Sequence, residues 1–397
     1  MLLQDLLSDI SSAEFYKSYW DKSPLIQRGC AEKFKNYFSI KRFEERITGN
    51  DIRYPQFRIA QNGKIIQPEL YTRSRTLKNQ FFNDAIDIPA VYSLWNQGAT
   101  IILQALQRGC SNLSLELNEL ESDISHNIQA NAYLTPMSSQ GFNVHYDNHD
   151  VLILQIEGSK DWTIWDTPVN KKPLKNENKI EEETPEGSLF FKGSITSGDM
   201  IYIPRGHYHV ATSLSEISLH ITIGIHVYRK IDAVKHIFQS ILKNLEEDAS
   251  GYWRESLPGN FLNNCHDQTF SSHLTGITKQ IKENWNFEKT SYKFKEDRRP
   301  INLHLFKNSA RLEEIDLKTK LYTINKQDIA IRVINEKIEL VYSSRVINFP
   351  IKLLDILQEL FDEKYFRPEK LDITSDESKI EFSKHLVKQG LAYLDEK

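Results

Sequence analysis

Between residues 129 and 228 the chain is cut into short segments, NAYLT, VLILQIE, DWTIWD, MIYIP and ISLHITIGIHV, with turn residues between them. All are rich in β-branched and aromatic residues, the composition of strands. Many short strands punctuated by turns suggest a double-sheet jelly roll. A chain built this way has an interior that side chains or a bound group must fill, so the polar residues inside the strand pattern carry the functional information.

Two stretches hold those residues: HYDNHDVLILQIEGSKDW (145–162) and SGDMIYIPRGHYHVATS (197–213). His145 and Asp147 are two apart at the head of an apolar run, and side chains two apart on a strand point to one face. His209 supplies a second imidazole 64 residues later. Two histidines and one carboxylate on one face of a metal, with other positions open, form the facial triad of non-haem Fe(II) oxygenases. Lys160 follows the Glu157-Gly158-Ser159 turn, where a cation could hold a carboxylate cosubstrate. An isolated H-x-D is more often a hydrogen-bonded strand pair than a ligand pair. The full order is far more specific: H-x-D, apolar strand, Gly turn, Lys, Trp, then G-D-x-x-Y-x-P-R-G-x-x-H.

On these residues the sequence resembles the bacterial cupin-4 branch of the JmjC-type 2-oxoglutarate oxygenases, which includes the ribosomal oxygenases. The resemblance begins at FYKSYWDKSPLIQRG (15–29), runs through GATIILQALQR (98–108) and QANAYLTPMSSQGFNVHYDNHD (129–150), and closes at SLHITIGIHVY (218–228). It implies an α+β protein: a double-stranded β-helix core with N-terminal helical elements, a helical dimerisation segment and a C-terminal winged-helix-like domain. The expected boundaries are 1–230, 231–300 and 301–397.

The resemblance also assigns roles. His145, Asp147 and His209 match the family's metal ligands. The R-G-x-x-H pattern selects His209 over His207, although the two share strand parity. His149 and His207 are expected outside the metal's coordination shell. Lys160 matches the basic anchor for the distal carboxylate of 2-oxoglutarate. Asn131 matches a residue that helps hold the cosubstrate, Tyr133 is a companion through its hydroxyl, and Thr222 a further contact. His220 matches a recurrent histidine near the metal. Fe(II), 2-oxoglutarate and O2 are therefore the implied cofactor and cosubstrates, with succinate and CO2 released as a C–H bond is hydroxylated.

The target implied is a side chain of a protein or peptide, with a ribosomal protein among the candidates. Departures from the family pattern, at Asn143-Val144, Met137 and Asp161, argue against fixing that target from the resemblance. The alternatives are the same chemistry on a small molecule or a biosynthetic precursor peptide, and a non-oxidative metal-binding cupin acting as isomerase or sensor.

The remainder of the chain is expected to frame this core. MLLQDLLSDISSAEFYKSYW is amphipathic, and PAVYSLWNQGATIILQALQRG has helical apolar spacing. QFRIAQNGKII places Asn62-Gly63 between alternating segments, a hairpin signal. The charged KKPLKNENKIEEETPEGS (171–188) reads as an exposed connection. IDAVKHIFQSILKNLEED reads as a helix, and the similar family segment implies a homodimer. Residues 301–397 carry 16 Lys and Arg against 17 Asp and Glu, so the last domain lacks the basic face of a DNA-binding winged helix.

Net charge is −4, which gives no general attraction to nucleic acid or an anionic membrane. Cys30, Cys110 and Cys265 lie far apart and form neither a disulfide framework nor a zinc site by spacing. With no signal peptide at the start and no long uncharged apolar run, a cytoplasmic location is expected.

Overall fold

The expected strands form in the computed structural model, which describes the chain apart from residues 50–51, 78, 169–171, 175–178, 181–184, 186, 248, 258–267, 285–290, 292–293, 297, 299–304, 335 and 396–397. Cys265 and much of the 171–188 connection thus lie outside the described residues. The chain divides into two units, Met1–Val227 and Tyr228–Lys397.

Among the described residues the first unit carries fifteen strands in chain order. They are β1 (Leu25–Gln27), β2 (Phe57–Gln61), β3 (Lys64–Ile65), β4 (Thr72–Leu77), β5 (Gln80–Ile86), β6 (Thr100–Leu103), β7 (Asn127–Thr135), β8 (His145–Tyr146), β9 (Asp150–Glu157), β10 (Ser159–Pro168), β11 (Lys179–Ile180), β12 (Leu189–Thr196), β13 (Met200–Ile203), β14 (His207–Ser213) and β15 (Ser218–His226). An eight-stranded sheet runs β1-β13-β9-β15-β7-β6-β2-β3, and a five-stranded sheet runs β11-β8-β14-β10-β12. Apart from β2–β3 and β6–β7, the neighbours in these two sheets are non-consecutive strands, as in a jelly roll.

Alternation decides which residues face the space between the sheets. Along β15, Leu219, Ile221, Ile223 and Ile225 join the large apolar core on the outer side of the eight-stranded sheet. Ser218, His220, Thr222, Gly224 and His226 fall on the other face by the period of two. The outer core also takes Leu113, Leu117, Leu120 and Ile124 of helix Ser111–Ile124, spaced as one helical face. A second, smaller core of Val151, Ile153, Trp162, Ile164, Ile195, Ile201 and Ile203 closes one part of the inner space. The rest of that space is the cavity described below.

Three local features differ from or refine the sequence reading. The helix beginning at Ile88 stops at Asn96, and Gly98 (φ +91°) turns the chain into strand β6. The helical reading of GATIIL was wrong because this β-branched run is buried on both faces, where periodicity cannot separate strand from helix. The N-terminal amphipathic stretch is two helices, Leu3–Leu6 and Ser12–Ser18, the second capped by Ser11 accepting from the Glu14 amide. The β2–β3 hairpin forms as expected, with Asn62 and Gly63 both left-handed (φ +48° and +80°), the type I′ geometry.

The second unit begins with helices Lys230–Glu246 and Gln268–Asn284. Ile231, Val234, Phe238 and Leu242 of the first helix are exposed at helical spacing. Further on, the expected strands Ala330–Ile334 and Lys337–Tyr342 pair antiparallel, and helices Leu354–Asp362 and Asp376–Lys388 pack into a separate core with them. Arg298 and Asp328 form a buried ion pair (2.6 Å) in this unit. Among the described residues no helix is long and apolar enough to cross a membrane.

Candidate active site

His145 and His209 are direct register partners across β8 and β14, and their ring centroids lie 4.4 Å apart. Strand β8 ends at Tyr146, so Asp147 sits just past it and not on a continuous strand with His145. Its backbone is held from another direction: the Gly206 amide donates to the Asp147 carbonyl (3.0 Å). The P-R-G turn therefore presents His209 and fixes Asp147 together, with Gly206 in the left-handed region (φ +85°). The Asp147 carboxylate lies 3.7 Å from His209 Nε2. One ligand atom from each of the three residues falls within 4.8 Å of the other two.

The imidazoles are oriented by their far nitrogens. His145 Nδ1 lies 2.7 Å from the Asn143 carbonyl and His209 Nδ1 3.1 Å from the His207 carbonyl. Donation to these carbonyls leaves both Nε2 atoms unprotonated and free to ligate. Burial holds the His209 pKa down at about 4, reinforced by His145. Burial alone would raise Asp147, but His149, His145 and His209 outweigh it and hold the carboxyl below its usual range. A neutral His209 imidazole beside an ionised Asp147 is the protonation a divalent metal requires of its ligands. The donor set thus fits Fe(II).

The triad opens into a cavity of about 390 Å³. Lys160, Asn131, Tyr133 and Thr222 all line it. Lys160 is buried, donates to Thr135 Oγ1 (2.9 Å), and burial lowers its pKa to about 7. Asn131 accepts from the Ala105 amide (3.0 Å), which fixes its side chain, and hydrogen bonds to the Tyr133 hydroxyl. Tyr133 stacks on His220 with centroids 4.8 Å apart. His220 is pushed well below its usual pKa by burial and then by Lys160. Trp162 Nε1 and His220 Nδ1 have no hydrogen-bond partner among the described residues. Unsatisfied buried polar groups beside a buried ammonium suit a polar anionic guest, so the cavity also fits 2-oxoglutarate.

The other histidines separate by position. His207 is buried outside the cavity lining, with Nδ1 3.1 Å from the Trp165 carbonyl. His149 lines the cavity and faces His226, ring centroids 5.1 Å apart. A Cβ at Gly224 would come within 2.7 Å of His149, so the glycine makes room for that ring.

Sequence reasoning missed several lining residues. Trp162 shares parity with Lys160 and could have been placed from that. Phe142 lies three residues before His145 and packs beside its ring (5.8 Å), whereas Thr100 and Arg58 come from segments far from the triad, and only the sheet order brings them in. The polar residues of G-D-x-x-Y-x-P-R-G prove structural. Asp150 accepts from Tyr202 Oη (2.6 Å) and from the Arg205 amide and guanidinium (3.1 and 3.0 Å). Asp199 accepts from Arg28 Nη1 (2.6 Å) and the Gly29 amide (3.0 Å).

Comparison with known proteins bears on the same region. The model of a JmjC domain matches residues 112–232. The bifunctional lysine-specific demethylase and histidyl-hydroxylase NO66 of Dictyostelium discoideum is 23% identical over 98% of this chain and 82% of its own length. Ribosomal oxygenase 1 of Danio rerio is 26% identical over 70% of this chain and 52% of its own, so the chain spans about half of that relative. Among solved structures, the Escherichia coli ribosomal oxygenase YcfD in complex with cobalt and 2-oxoglutarate superposes with a TM-score of 0.58 at 12% identity. That superposition covers 98% of this chain and 99% of YcfD, a likeness of fold.

Proposed function

We propose that this chain, a member of the JmjC-type family, is an Fe(II)- and 2-oxoglutarate-dependent oxygenase that hydroxylates an amino-acid side chain of a protein or peptide. One observation carries the reading: three ligand atoms within 4.8 Å open into the same cavity as a buried lysine. His145, Asp147 and His209 would hold the metal. Lys160 would take the distal carboxylate of 2-oxoglutarate, with Asn131, Tyr133 and Thr222 as polar neighbours. Bound Fe(II) supplies O2 activation coupled to oxidative decarboxylation of 2-oxoglutarate, one oxygen atom entering succinate and the other a C–H bond.

The chain's own residues bind, orient and exclude water. The ammonium of Lys160 offsets an anion that burial would otherwise expel. Trp162 and the β9 side chains close the inner end against solvent. The stacked Tyr133 and His220 rings form a rigid wall beside the metal site. These groups prearrange charge for a reaction whose barrier falls most when water is shut out.

A ribosomal protein target is in keeping with the names of the relatives, and a homodimer with the exposed stripe Ile231, Val234, Phe238, Leu242. A compartment with reduced thiols, such as cytoplasm, suits Fe(II).

The test is succinate formation from 2-oxoglutarate by the purified protein with Fe(II) and O2, beside His209→Ala. Metal-dependent turnover lost in the variant is expected. Failure of the wild-type protein to bind 2-oxoglutarate or to release succinate would favour a non-oxidative cupin. Turnover with no protein or peptide acceptor, but with a small metabolite hydroxylated, would move the target to small-molecule chemistry.

A further inference from the structure

Asp147 is the one acid lining the cavity among the described residues, and its carboxylate faces the two ligand imidazoles. The cavity also holds two cationic side chains. Lys160 lies at the Thr135 end. The second is Arg58, on β2, whose Nε has no hydrogen-bond partner among the described residues.

Register places Arg58 away from the lysine. Arg58 pairs with Ile102 on β6, and Ile102 pairs with Tyr133 on β7. Directly opposed residues share a face, so Arg58 extends the Tyr133 row toward the sheet edge. Two strand spacings separate its backbone from β7, about 10 Å. It therefore belongs to the part of the cavity beyond the lysine, under the β2–β3 hairpin.

Charge then restricts what can enter. A guanidinium or ammonium side chain would meet a fixed guanidinium and no free carboxylate. Desolvating a cation without a counter-charge is strongly unfavourable, and like charges at close quarters reject a partner more sharply than missing contacts do. An acceptor group instead finds an unpartnered guanidinium N–H in a partly buried site, where a charge-assisted hydrogen bond is strong.

We infer that the side chain hydroxylated by this protein carries no positive charge and accepts a hydrogen bond from Arg58, so that arginine and lysine are rejected. Carboxylates, carboxamides and neutral imidazoles satisfy that chemistry. The inference rests on the oxygenase reading above.

The test uses the full chain with Fe(II), 2-oxoglutarate and ¹⁸O2 on a proteome from cells lacking the gene, with ¹⁸O-labelled residues mapped by mass spectrometry. Label on Asp, Asn, Glu, Gln or His is expected. Label on Arg or Lys overturns the inference while leaving the oxygenase reading intact. Turnover of 2-oxoglutarate with no labelled residue overturns the protein-hydroxylation reading, and this inference with it.

A second arm uses a synthetic peptide spanning the labelled site and its twin with Lys at that position. The wild-type protein should favour the first by about tenfold or more in kcat/KM, the scale of an unfavourable charge contact. Arg58→Glu should reverse the order for binding of the two peptides, and Arg58→Lys should keep it. An unchanged order in Arg58→Glu overturns the role of Arg58. So does a loss of 2-oxoglutarate affinity in that variant with the peptide order unmoved, which would make Arg58 a cosubstrate group.

Discussion

Lys160 sets a pH dependence on cosubstrate binding that follows from its burial. Desolvation lowers its pKa from 10.5 to about 7, so near neutrality the free protein holds ammonium and amine in comparable amounts. Only the ammonium pairs with a carboxylate. Binding 2-oxoglutarate therefore takes up a proton wherever the amine predominates, which is above pH 7. By linkage the apparent Kd should change little below pH 6.5, rise about tenfold between pH 6 and pH 8, and rise about tenfold again by pH 9. Thr135 accepts from the ammonium and His220 faces it as a neutral ring, so no acid near Lys160 competes for that proton.

The assay is calorimetry with Mn(II) under nitrogen in two buffers of different ionisation enthalpy, which reports proton uptake directly. About 0.9 proton should enter per 2-oxoglutarate at pH 8. Lys160→Arg should bind with reduced affinity but without the pH dependence, since a guanidinium stays charged. Lys160→Met should lose a charge-assisted contact of ~1.5–3 kcal/mol, a Kd increase of roughly 10- to 150-fold. The same substitution should raise the Tm of the ligand-free protein most at low pH. A lysine whose folded pKa is depressed carries its full burial penalty below pH 7, and the penalty fades as pH rises toward 10.5. A pH-independent wild-type Kd, or wild-type affinity in Lys160→Met, would refute both the burial argument and the anchor assignment.

His145→Ala, Asp147→Ala and His209→Ala should each abolish Co(II) binding by absorption titration, whereas His207→Ala should retain it, because His207 lies outside the cavity lining. Gly63→Val should weaken the metal site: at φ +80° a side chain is strained, and its Cβ would fall 2.2 Å from the Asn143 side chain, beside the carbonyl that orients His145. A Co(II) affinity unchanged in a folded Gly63→Val protein would break that link. Asp150→Ala removes the acceptor of the Tyr202 hydroxyl and one of the two carboxylates on Arg205, Asp21 remaining 2.7 Å away, and should cost about 1–3 kcal/mol by denaturant unfolding. Phe238→Glu places a charge in the exposed apolar stripe and should give a monomer by light scattering, if the wild-type protein is the expected dimer.

Much of the site could be read from the sequence because its chemistry is concentrated in short segments. The period-2 alternation of ISLHITIGIHV correctly separates Leu219, Ile221, Ile223 and Ile225 from His220, Thr222 and His226, since each strand residue must choose between core and cavity. Asn62-Gly63 announces its hairpin because only that turn geometry suits the dipeptide. GATIIL shows the limit of the same logic. Between β2 and β7 it is buried on both faces, alternation vanishes, and the strand is indistinguishable by pattern from a buried helix.

What remained hidden was set by pairing between distant segments. Nothing local to QFRIAQ marks Arg58 as a cavity residue, because an arginine in an alternating strand normally points to water. It faces inward only because β2 adds to β6, β6 to β7, and the resulting row continues Tyr133. The same extension carries the hairpin tip onto the segment before His145, where the Asn62 and Gly63 amides donate to the carbonyls of Gln140 and Gly141 (both 3.0 Å). One added pair of strands thus supplies a guanidinium to the cavity and a clamp on the chain that orients a ligand imidazole. Charge selection and ligand geometry are coupled through β2 and β3, so changes at the hairpin tip should act on the metal site, while the charge at Arg58 should act on the choice of target.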